Sequence, residues 1–215
     1  PDRPGRTHAG AGVVGMSEPC IGVLALQGAF REHRRALERC GARTVEVRRA
    51  DQLNQIAGLV IPGGESTTIG KLLADRNLLE PLRERSRGGM PVYGSCAGLI
   101  LLCTDIENSD QPRLGLLDAT VRRNAFGRQR DSFEADLPLP EVGTEPFHAV
   151  FIRAPVLLRT GPDVRVLADV DGRPVAVRQG TLLATSFHPE LTEDLRLHDY
   201  FLDMVRETPT RGQPS

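Results

Sequence analysis

Short strand patterns that alternate with helical patterns constrain the fold of this chain more than any other feature. Strand patterns, most of them unbroken apolar runs, stand at residues 21–26, 44–47, 58–61 and 91–93, and helical patterns stand at residues 29–40, 67–74, 78–87 and 97–102. Strands buried on both faces have continuous apolar sequences, and strand–helix alternation produces a parallel sheet between helical layers. The pattern therefore predicts an α/β fold with a mostly parallel central sheet and helices on both faces.

The second half of the chain carries strand patterns that are separated by turn residues. These patterns stand at residues 119–122, 132–137, 150–152, 164–168, 174–178 and 182–187. The dipeptides Asp171-Gly172 and Gln179-Gly180 are typical of tight hairpin turns. We therefore expect antiparallel or mixed strands that extend the central sheet, followed by a last helix at residues 193–206.

The length of the chain and the composition of its two terminal segments predict one domain with flexible termini. The chain has 215 residues, of which 40% are hydrophobic, enough for a buried core. Residues 1–18 are rich in Gly, Pro and Arg without a period, and Met16 among them is a candidate native start. We expect a disordered leader at residues 1–18, a domain at 19–207 and a flexible tail at 208–215.

Charge and cysteine spacing narrow the class of protein. The formal net charge is -1, so no strong field favours nucleic acid or an anionic membrane. No apolar run approaches the roughly 20 residues that a membrane span needs. The four cysteines form no C-x-x-C pair and have no zinc spacing. We expect a cytoplasmic protein with reduced thiols, one special cysteine and no metal.

The clearest sign of chemistry is the pentapeptide at residues 94–98, Gly-Ser-Cys-Ala-Gly, where a strand pattern meets a helical one. It matches the nucleophile elbow, a tight turn that needs glycines around its nucleophile. Cys96 would lie at a helix N-terminus, which favours the thiolate, and the amide of Ala97 would face a developing oxyanion. The alternative is a small core residue in a plain turn. Cys40 and Cys103 are interpreted in that way, as helix residues that face a core.

A cysteine nucleophile needs a base, and the best of five histidines is His188, at the end of an apolar strand pattern. Pro189 restrains His188 to extended geometry, in which residues two apart share a side. Glu190 can then orient the imidazole and stabilise its charged form. The alternative is a structural histidine at a strand end. We interpret Cys96, His188 and Glu190 as a catalytic triad.

These motifs resemble those of the class I glutamine amidotransferases, and four further motifs resemble the glutaminase subunits of pyridoxal phosphate synthases. The four are Leu-Gln-Gly with Arg-Glu-His at residues 26–33, Pro-Gly-Gly-Glu-Ser-Thr-Thr at 62–68, Arg-Asn-Ala-Phe-Gly-Arg-Gln at 123–129, and Phe-Ile-Arg-Ala-Pro at 151–155. The resemblance covers about residues 20–206 and implies a three-layer, flavodoxin-like fold.

The resemblance also implies a role for each of several residues. It implies glutamine binding by Gly63, Gly64, Glu65, Arg123, Ile152 and Arg153, with Gly64 and Ala97 as oxyanion donors and Gln27 near the oxyanion loop. Glycines let backbone amides approach a substrate, and a guanidinium suits its α-carboxylate. Taken alone, the glycine pair would be a plain turn and Arg123 a solvated surface residue.

The function implied is hydrolysis of L-glutamine to L-glutamate and ammonia, without a cofactor. The ammonia would pass to a (β/α)8-barrel synthase partner that makes pyridoxal 5'-phosphate. One rival is another hydrolase of similar fold, such as a γ-glutamyl hydrolase or a DJ-1-like protein. A second rival is a non-enzymatic binding subunit, against which the intact set Cys96, His188 and Glu190 argues.

Overall fold

In the computed structural model, which describes residues 18–123 and 132–208, a seven-stranded sheet forms the centre of the molecule. Its strands are β1 (Cys20–Leu24), β2 (Arg43–Val47), β3 (Gly58–Ile61), β4 (Val92–Ser95), β10 (Arg165–Val170), β11 (Arg173–Gln179) and β12 (Leu182–Thr185). They lie in the order β10-β11-β12-β4-β3-β1-β2. The five from β12 to β2 are parallel, and β11 and β10 add antiparallel pairs. The predicted mostly parallel sheet is confirmed.

Two hydrophobic cores sandwich this sheet. One contains α2 (Ser66–Asp75), α3 (Leu79–Arg87), α4 (Ala97–Leu102) and a three-stranded sheet of β5 (Cys103–Ile106), β6 (Leu117–Arg122) and β9 (Val156–Thr160). The other contains α1 (Phe30–Arg39), α5 (Arg196–Glu207) and a hairpin of β7 (Ser132–Leu137) and β8 (Phe147–Ile152). Adjacent strand residues alternate between the cores, as Val60 and Ile61 do, because successive side chains point to opposite faces. The three-layer arrangement is therefore as predicted.

The second half of the chain differs from the prediction in its sheet membership. Among the described strands of this half, only β10, β11 and β12 join the central sheet, while β6 belongs to a small three-stranded sheet and β7 and β8 form a separate hairpin. Strands β5 and β9 were not predicted. Strand β5 follows α4 with no turn residue between them, so Cys103 was assigned to the helix, whereas it begins the strand and is fully buried. Burial in a core was the correct part of that interpretation.

Both predicted hairpin turns are present. Asp171 (φ 52) and Gly172 (φ 72) connect β10 to β11, and Gly180 (φ 56) connects β11 to β12. A positive φ at these positions is what tight hairpin turns require. The last helix begins at Arg196, after the predicted start at residue 193, because a 3₁₀ turn at Pro189–Leu191 and a loop come first. A 3₁₀ turn at Ala50–Gln55 was also not predicted.

The expectations for residues 1–17, 124–131 and 209–215 lie outside the described residues. Within the described ranges, no helix is both long and apolar enough to cross a bilayer.

The parallel strands place the candidate site residues at one edge of the sheet. Strand β1 ends just before Gln27, β3 before Gly63, β4 before Cys96 and β12 before His188. In open α/β sheets, ligands bind at the carboxyl ends of the strands. The fold therefore gathers four separate sequence segments at one edge.

Candidate active site

Cys96 lies between β4 and α4 in a strained backbone conformation. Its φ is 48° and its ψ is -101°, outside the regions that non-glycine residues prefer. The backbone N–H of Cys96 donates a 2.8 Å hydrogen bond to the carbonyl of Thr185 on the neighbouring strand β12. The side chain is almost buried, with the residue 7% exposed. Strained backbones of this kind persist where surrounding structure holds them, and they cluster at active sites.

Glycines are needed on both sides of Cys96. A Cβ atom at Gly94 would lie 2.5 Å from the carbonyl carbon of Gly98, and one at Gly98 would overlap the carbonyl oxygen of Ile61. Helix α4 therefore packs directly against the backbones of β3 and β4. This close packing directs the N-terminus of α4 toward the site, and Ala97 begins the helix with an N–H that has no partner within it.

His188 faces both Cys96 and Glu190. Its Nδ1 lies 2.8 Å from Oε1 of Glu190, and its ring is close enough to the side chain of Cys96 for that group to raise the pKa of the imidazole. Its backbone N–H donates a 2.8 Å hydrogen bond to the carbonyl of Val150 on β8. Glu190 comes alongside the imidazole through the 3₁₀ turn that starts at Pro189, and not through continued extended chain as the sequence suggested. The three side chains predicted to act together are thus in contact.

The surroundings favour a charged imidazole. Burial alone would lower the pKa of His188, but its interactions with Cys96 and Glu190 outweigh burial and raise that pKa to about 10. Burial also opposes charge on Glu190, but the imidazoles of His33 and His188 outweigh it, so the pKa of this carboxyl lies below its usual range. At neutral pH the pair is an imidazolium beside a carboxylate. An imidazolium stabilises a neighbouring thiolate, the nucleophilic form of cysteine.

The loop after β3 packs against the side chains of His188 and Cys96. A Cβ atom at Gly63 would overlap Cε1 of His188 and lie 2.9 Å from its Nδ1 and 3.4 Å from Cβ of Cys96. Two hydrogen bonds anchor the loop to the segment after β1. The N–H of Ala29 donates to the carbonyl of Gly63 at 3.0 Å, and the N–H of Glu65 donates to Oε1 of Gln27 at 2.8 Å. The expectation that Gln27 lies near this loop is confirmed.

Glu65 and Arg123 both contact Thr67, at the start of α2. The carboxylate of Glu65 caps this helix by accepting hydrogen bonds from the N–H groups of Thr67 (3.2 Å) and Thr68 (2.7 Å). Arg123 Nη1 donates to Oγ1 of Thr67 at 3.0 Å and to Oε1 of Gln111 at 3.1 Å. Arg123 is therefore anchored beside the loop and is not a solvated surface arginine. The rest of its motif, residues 124–129, lies outside the described residues.

Ile152 ends strand β8 and Arg153 follows it, two and three residues beyond the Val150 carbonyl that holds His188. Ile152 is 38% exposed, and Arg153 is exposed with a φ of 42°. Both residues therefore lie toward solvent near the site. Among residues 18–123 and 132–208, no group of three or more His, Cys, Asp or Glu side chains is arranged to hold a metal ion.

Comparison with known proteins identifies the family to which the chain belongs. The sequence profile of the SNO glutamine amidotransferase family matches residues 23–207. The chain belongs to the SNO glutamine amidotransferase family. The match favours an amidotransferase over the γ-glutamyl hydrolase and DJ-1-like alternatives.

Named relatives of this family are similar over nearly their whole length. The chain is 62% identical to the pyridoxal 5'-phosphate synthase subunit PdxT of Carboxydothermus hydrogenoformans, over 86% of this chain and 97% of that protein. It is 63% identical to the subunit of the same name from Moorella thermoacetica, over 86% and 98%. A crystal structure described as a glutamine amidotransferase superposes with a TM-score of 0.83 and 53% identity, over 86% of this chain and 98% of that one.

Sequence reasoning missed one part of the site in this SNO family member, a group of side chains behind Glu190. His33 was placed only on the first helix, but its Nε2 lies 3.3 Å from Oε2 of Glu190 and 2.9 Å from Oγ of Ser95. The available signal was its position on the buried face of α1, which also carries Ala36 and Leu37. A histidine on such an apolar face needs a buried polar partner, and the sequence did not reveal which.

The position of Gly63 leads to a prediction that is independent of the triad. Gly63→Ala is expected to lower kcat for glutamine hydrolysis by about 100-fold or more, because the added methyl group would displace the His188 ring. The matched control is Gly88→Ala at the end of α3. Gly88 has a φ of -71°, and a Cβ atom there would approach no atom closer than 3.2 Å. Steady-state ammonia release and circular dichroism of both variants check this. Wild-type kcat in folded Gly63→Ala would contradict the packing of Gly63 against His188.

Proposed function

We propose that this chain is the glutaminase subunit of a pyridoxal 5'-phosphate synthase. In this reaction Cys96, His188 and Glu190 hydrolyse L-glutamine, and the ammonia passes to a synthase subunit. The observation that carries the proposal is the contact of His188 with Cys96 on one side and Glu190 on the other, at the carboxyl ends of parallel strands. The names of the relatives support the choice of synthase.

The first half of the reaction forms a thioester. The thiolate of Cys96 attacks the side-chain amide carbon of glutamine, and the carbonyl oxygen takes up the negative charge. The imidazolium of His188 then gives its proton to the departing nitrogen, and ammonia leaves as the C–N bond breaks. The raised pKa of His188 supports this step, since the ring holds its proton at neutral pH until the leaving group needs it.

The second half hydrolyses the thioester. His188, now neutral, takes a proton from water as the water oxygen attacks the thioester carbon. The C–S bond breaks, glutamate leaves, and the thiolate and imidazolium are restored. Glu190 holds the imidazole orientation through both halves by its contact with Nδ1.

Backbone and side chains around the triad bind the substrate. The N–H groups of Gly64 and Ala97 stabilise the oxyanion, and Ala97 suits this role as the first residue of a helix. Arg123 pairs with the α-carboxylate of glutamine, while Ile152, Arg153 and Gly63 line its pocket. Because the Glu65 carboxylate already caps α2, Glu65 contributes to substrate binding through its main chain.

The partner is a (β/α)8-barrel subunit that docks over the site and receives the ammonia. Gly64, Glu65, Ile152 and Arg153 are exposed beside the buried triad, which supports a docking surface at this edge of the sheet. The domain extends over residues 19–207. All four cysteines are free thiols, which supports a reducing, cytoplasmic location.

We expect the isolated chain to hydrolyse glutamine about 10²- to 10³-fold more slowly than the chain with its partner, the cost of one missing oxyanion donor. The Gly64 N–H belongs to the same peptide group as the Gly63 carbonyl, which accepts a hydrogen bond from Ala29 in this structure. Docking would break that bond and turn the Gly64 N–H toward the oxyanion. Ammonia release is measured with and without an excess of the barrel subunit. Equal kcat under both conditions would refute partner activation but would not contradict the proposed glutaminase chemistry.

The transfer of ammonia is tested separately with glutamine labelled with ¹⁵N in its side-chain amide. With the pentose phosphate and triose phosphate substrates present, the label is expected in pyridoxal 5'-phosphate, detected by mass spectrometry. Unlabelled ammonia at equal concentration is the competitor. Glutamine hydrolysis without label in pyridoxal 5'-phosphate would refute the proposed partner but would not contradict the proposed glutaminase activity.

A further inference from the structure

The polar contacts of the triad continue beyond Glu190 into the interior of the protein. His33 on α1 is completely buried, and its two ring nitrogens both have polar neighbours. Its Nε2 lies 3.3 Å from Oε2 of Glu190 and 2.9 Å from Oγ of Ser95, while its Nδ1 lies 3.0 Å from Nε2 of His198. Neither histidine takes part in the mechanism above.

Glu190 needs a partner on the side away from His188. Its Oε1 contacts His188, whereas its Oε2 is buried and has no hydrogen bond to any described residue. A buried carboxylate oxygen without a donor is costly. Nε2 of His33 is close enough to provide an N–H dipole to this oxygen, so the protonation of His33 decides how Glu190 is held.

The environment of His198 indicates which nitrogen of His33 carries the proton. Nδ1 of His198 is buried and has no hydrogen bond within the described part of the chain, so a proton there would be left unsatisfied. The favoured form of His198 is therefore protonated at Nε2 and donates to Nδ1 of His33. The proton of neutral His33 is then on Nε2, where it is donated to Oγ of Ser95, and its positive end lies close to Oε2 of Glu190. The opposite arrangement would place a ring lone pair against the carboxylate.

Burial keeps both rings neutral. It lowers the pKa of His33 and outweighs the attraction of Glu190, and it lowers the pKa of His198 to about 3. The charged groups that face His33 from neighbouring elements are Glu190 and the imidazolium of His188. Tyr93 packs edge-on against the ring, with 6.0 Å between the ring centroids, and helps to fix its plane.

We propose that His33 is a positioning residue that holds the Glu190 carboxylate against His188 through the dipole of its Nε2–H, with His198 setting the tautomer of His33. The proposal rests on the proposed function of the triad and extends it by one residue. The alternative is that His33 only fills the core between α1 and the sheet. The two differ in whether the Nε2 donor itself matters for turnover.

The matched variants are His33→Asn and His33→Gln. A glutamine amide nitrogen reaches about as far from the backbone as Nε2 of histidine, whereas an asparagine amide reaches only as far as Nδ1. With the synthase partner present, His33→Asn is expected to lower kcat roughly 10- to 100-fold with KM for glutamine unchanged, a loss typical of removing a residue that orients a catalytic group from outside the site. His33→Gln is expected to retain most of the wild-type kcat. Equal losses in both, or wild-type kcat in His33→Asn, would overturn the proposal.

Combination with Glu190→Gln separates positioning from core packing. If His33 acts through Glu190, the double variant His33→Asn/Glu190→Gln should have the kcat of Glu190→Gln alone. Multiplied losses would show that His33 acts by another route and would overturn the proposal. Thermal unfolding of each variant is measured alongside, so that lost stability is distinguished from lost turnover.

A measurement on the wild-type protein does not depend on any variant folding. Long-range ¹H–¹⁵N NMR of the imidazoles reports which ring nitrogen is protonated, and the expected result for His33 is Nε2. A proton on Nδ1 of His33 would overturn the proposal. Wild-type protein without glutaminase activity would instead refute the proposed function, so the two failures are distinguishable.

Discussion

Cys96→Ala is expected to abolish glutamine hydrolysis, with kcat at least about 10⁴-fold below that of the wild type even with the synthase partner present. Removing the nucleophile of a serine protease triad costs about 10⁶-fold, which sets the scale. Folding is expected to survive, because alanine fits the same small volume and the backbone hydrogen bond from Cys96 to Thr185 is retained. Ammonia release, with thermal unfolding as the check on folding, tests this.

The matched control is Cys103→Ala, since Cys96 and Cys103 flank the same helix, α4. Cys103 is fully buried, and burial raises the pKa of its thiol far above neutral, so it has no thiolate to offer. Its replacement should leave kcat within about twofold, after correction for any lost stability. Retained glutaminase activity in folded Cys96→Ala would exclude Cys96 as the nucleophile.

The features predicted correctly from the sequence are those encoded by neighbouring residues. The elbow around Cys96 and the strand β3 before Gly63 each depend on a few consecutive residues. So does the parallel direction of the strands near the site, since strand–helix alternation produces a parallel sheet. The carboxyl ends of parallel strands share one edge of a sheet. Correct local predictions were therefore enough to predict that Cys96, His188 and Gly63 lie close together.

The features missed depend on pairs of residues far apart in the chain. The contact of His33 with Glu190 joins residues on different elements, and no local pattern indicates which buried polar groups will pair. The anchoring of Arg123 by Thr67 and Gln111 is of the same kind. The small sheet of β5, β6 and β9 was also missed, because short strands pair wherever tertiary packing exposes an edge.

His33 also changes how Glu190 should be regarded. A carboxylate that only orients the imidazole could accept a single hydrogen bond and leave its other oxygen to water. Here the Glu190 side chain is fully buried, with His188 on one oxygen and His33 beside the other. Replacing the carboxylate therefore alters two contacts, while the proton itself moves only through His188. We therefore expect substitution of His188 to lower kcat more than substitution of Glu190 does.

His188→Asn is expected to lower kcat more than Glu190→Gln does. Asparagine can neither protonate the departing ammonia nor accept a proton from water, so both halves of the reaction fail and the loss should reach at least about 10⁴-fold. Glu190→Gln retains the proton-transfer group, and its loss should be roughly 10- to 100-fold smaller, by analogy with the acidic residue of a serine protease triad. The measurement is kcat and kcat/KM for both variants with the partner present.

The pH dependence of Glu190→Gln tests independently whether Glu190 acts by keeping the imidazole of His188 in its charged form. The wild-type pKa of His188 is raised to about 10 by its contacts with Cys96 and Glu190, so removing the carboxylate should lower it. The alkaline limb of kcat/KM should then move to lower pH in Glu190→Gln, as His188 loses its proton sooner. If Glu190→Gln were instead the more damaging substitution and its alkaline limb stayed in place, Glu190 would have to act on the substrate or on proton transfer directly.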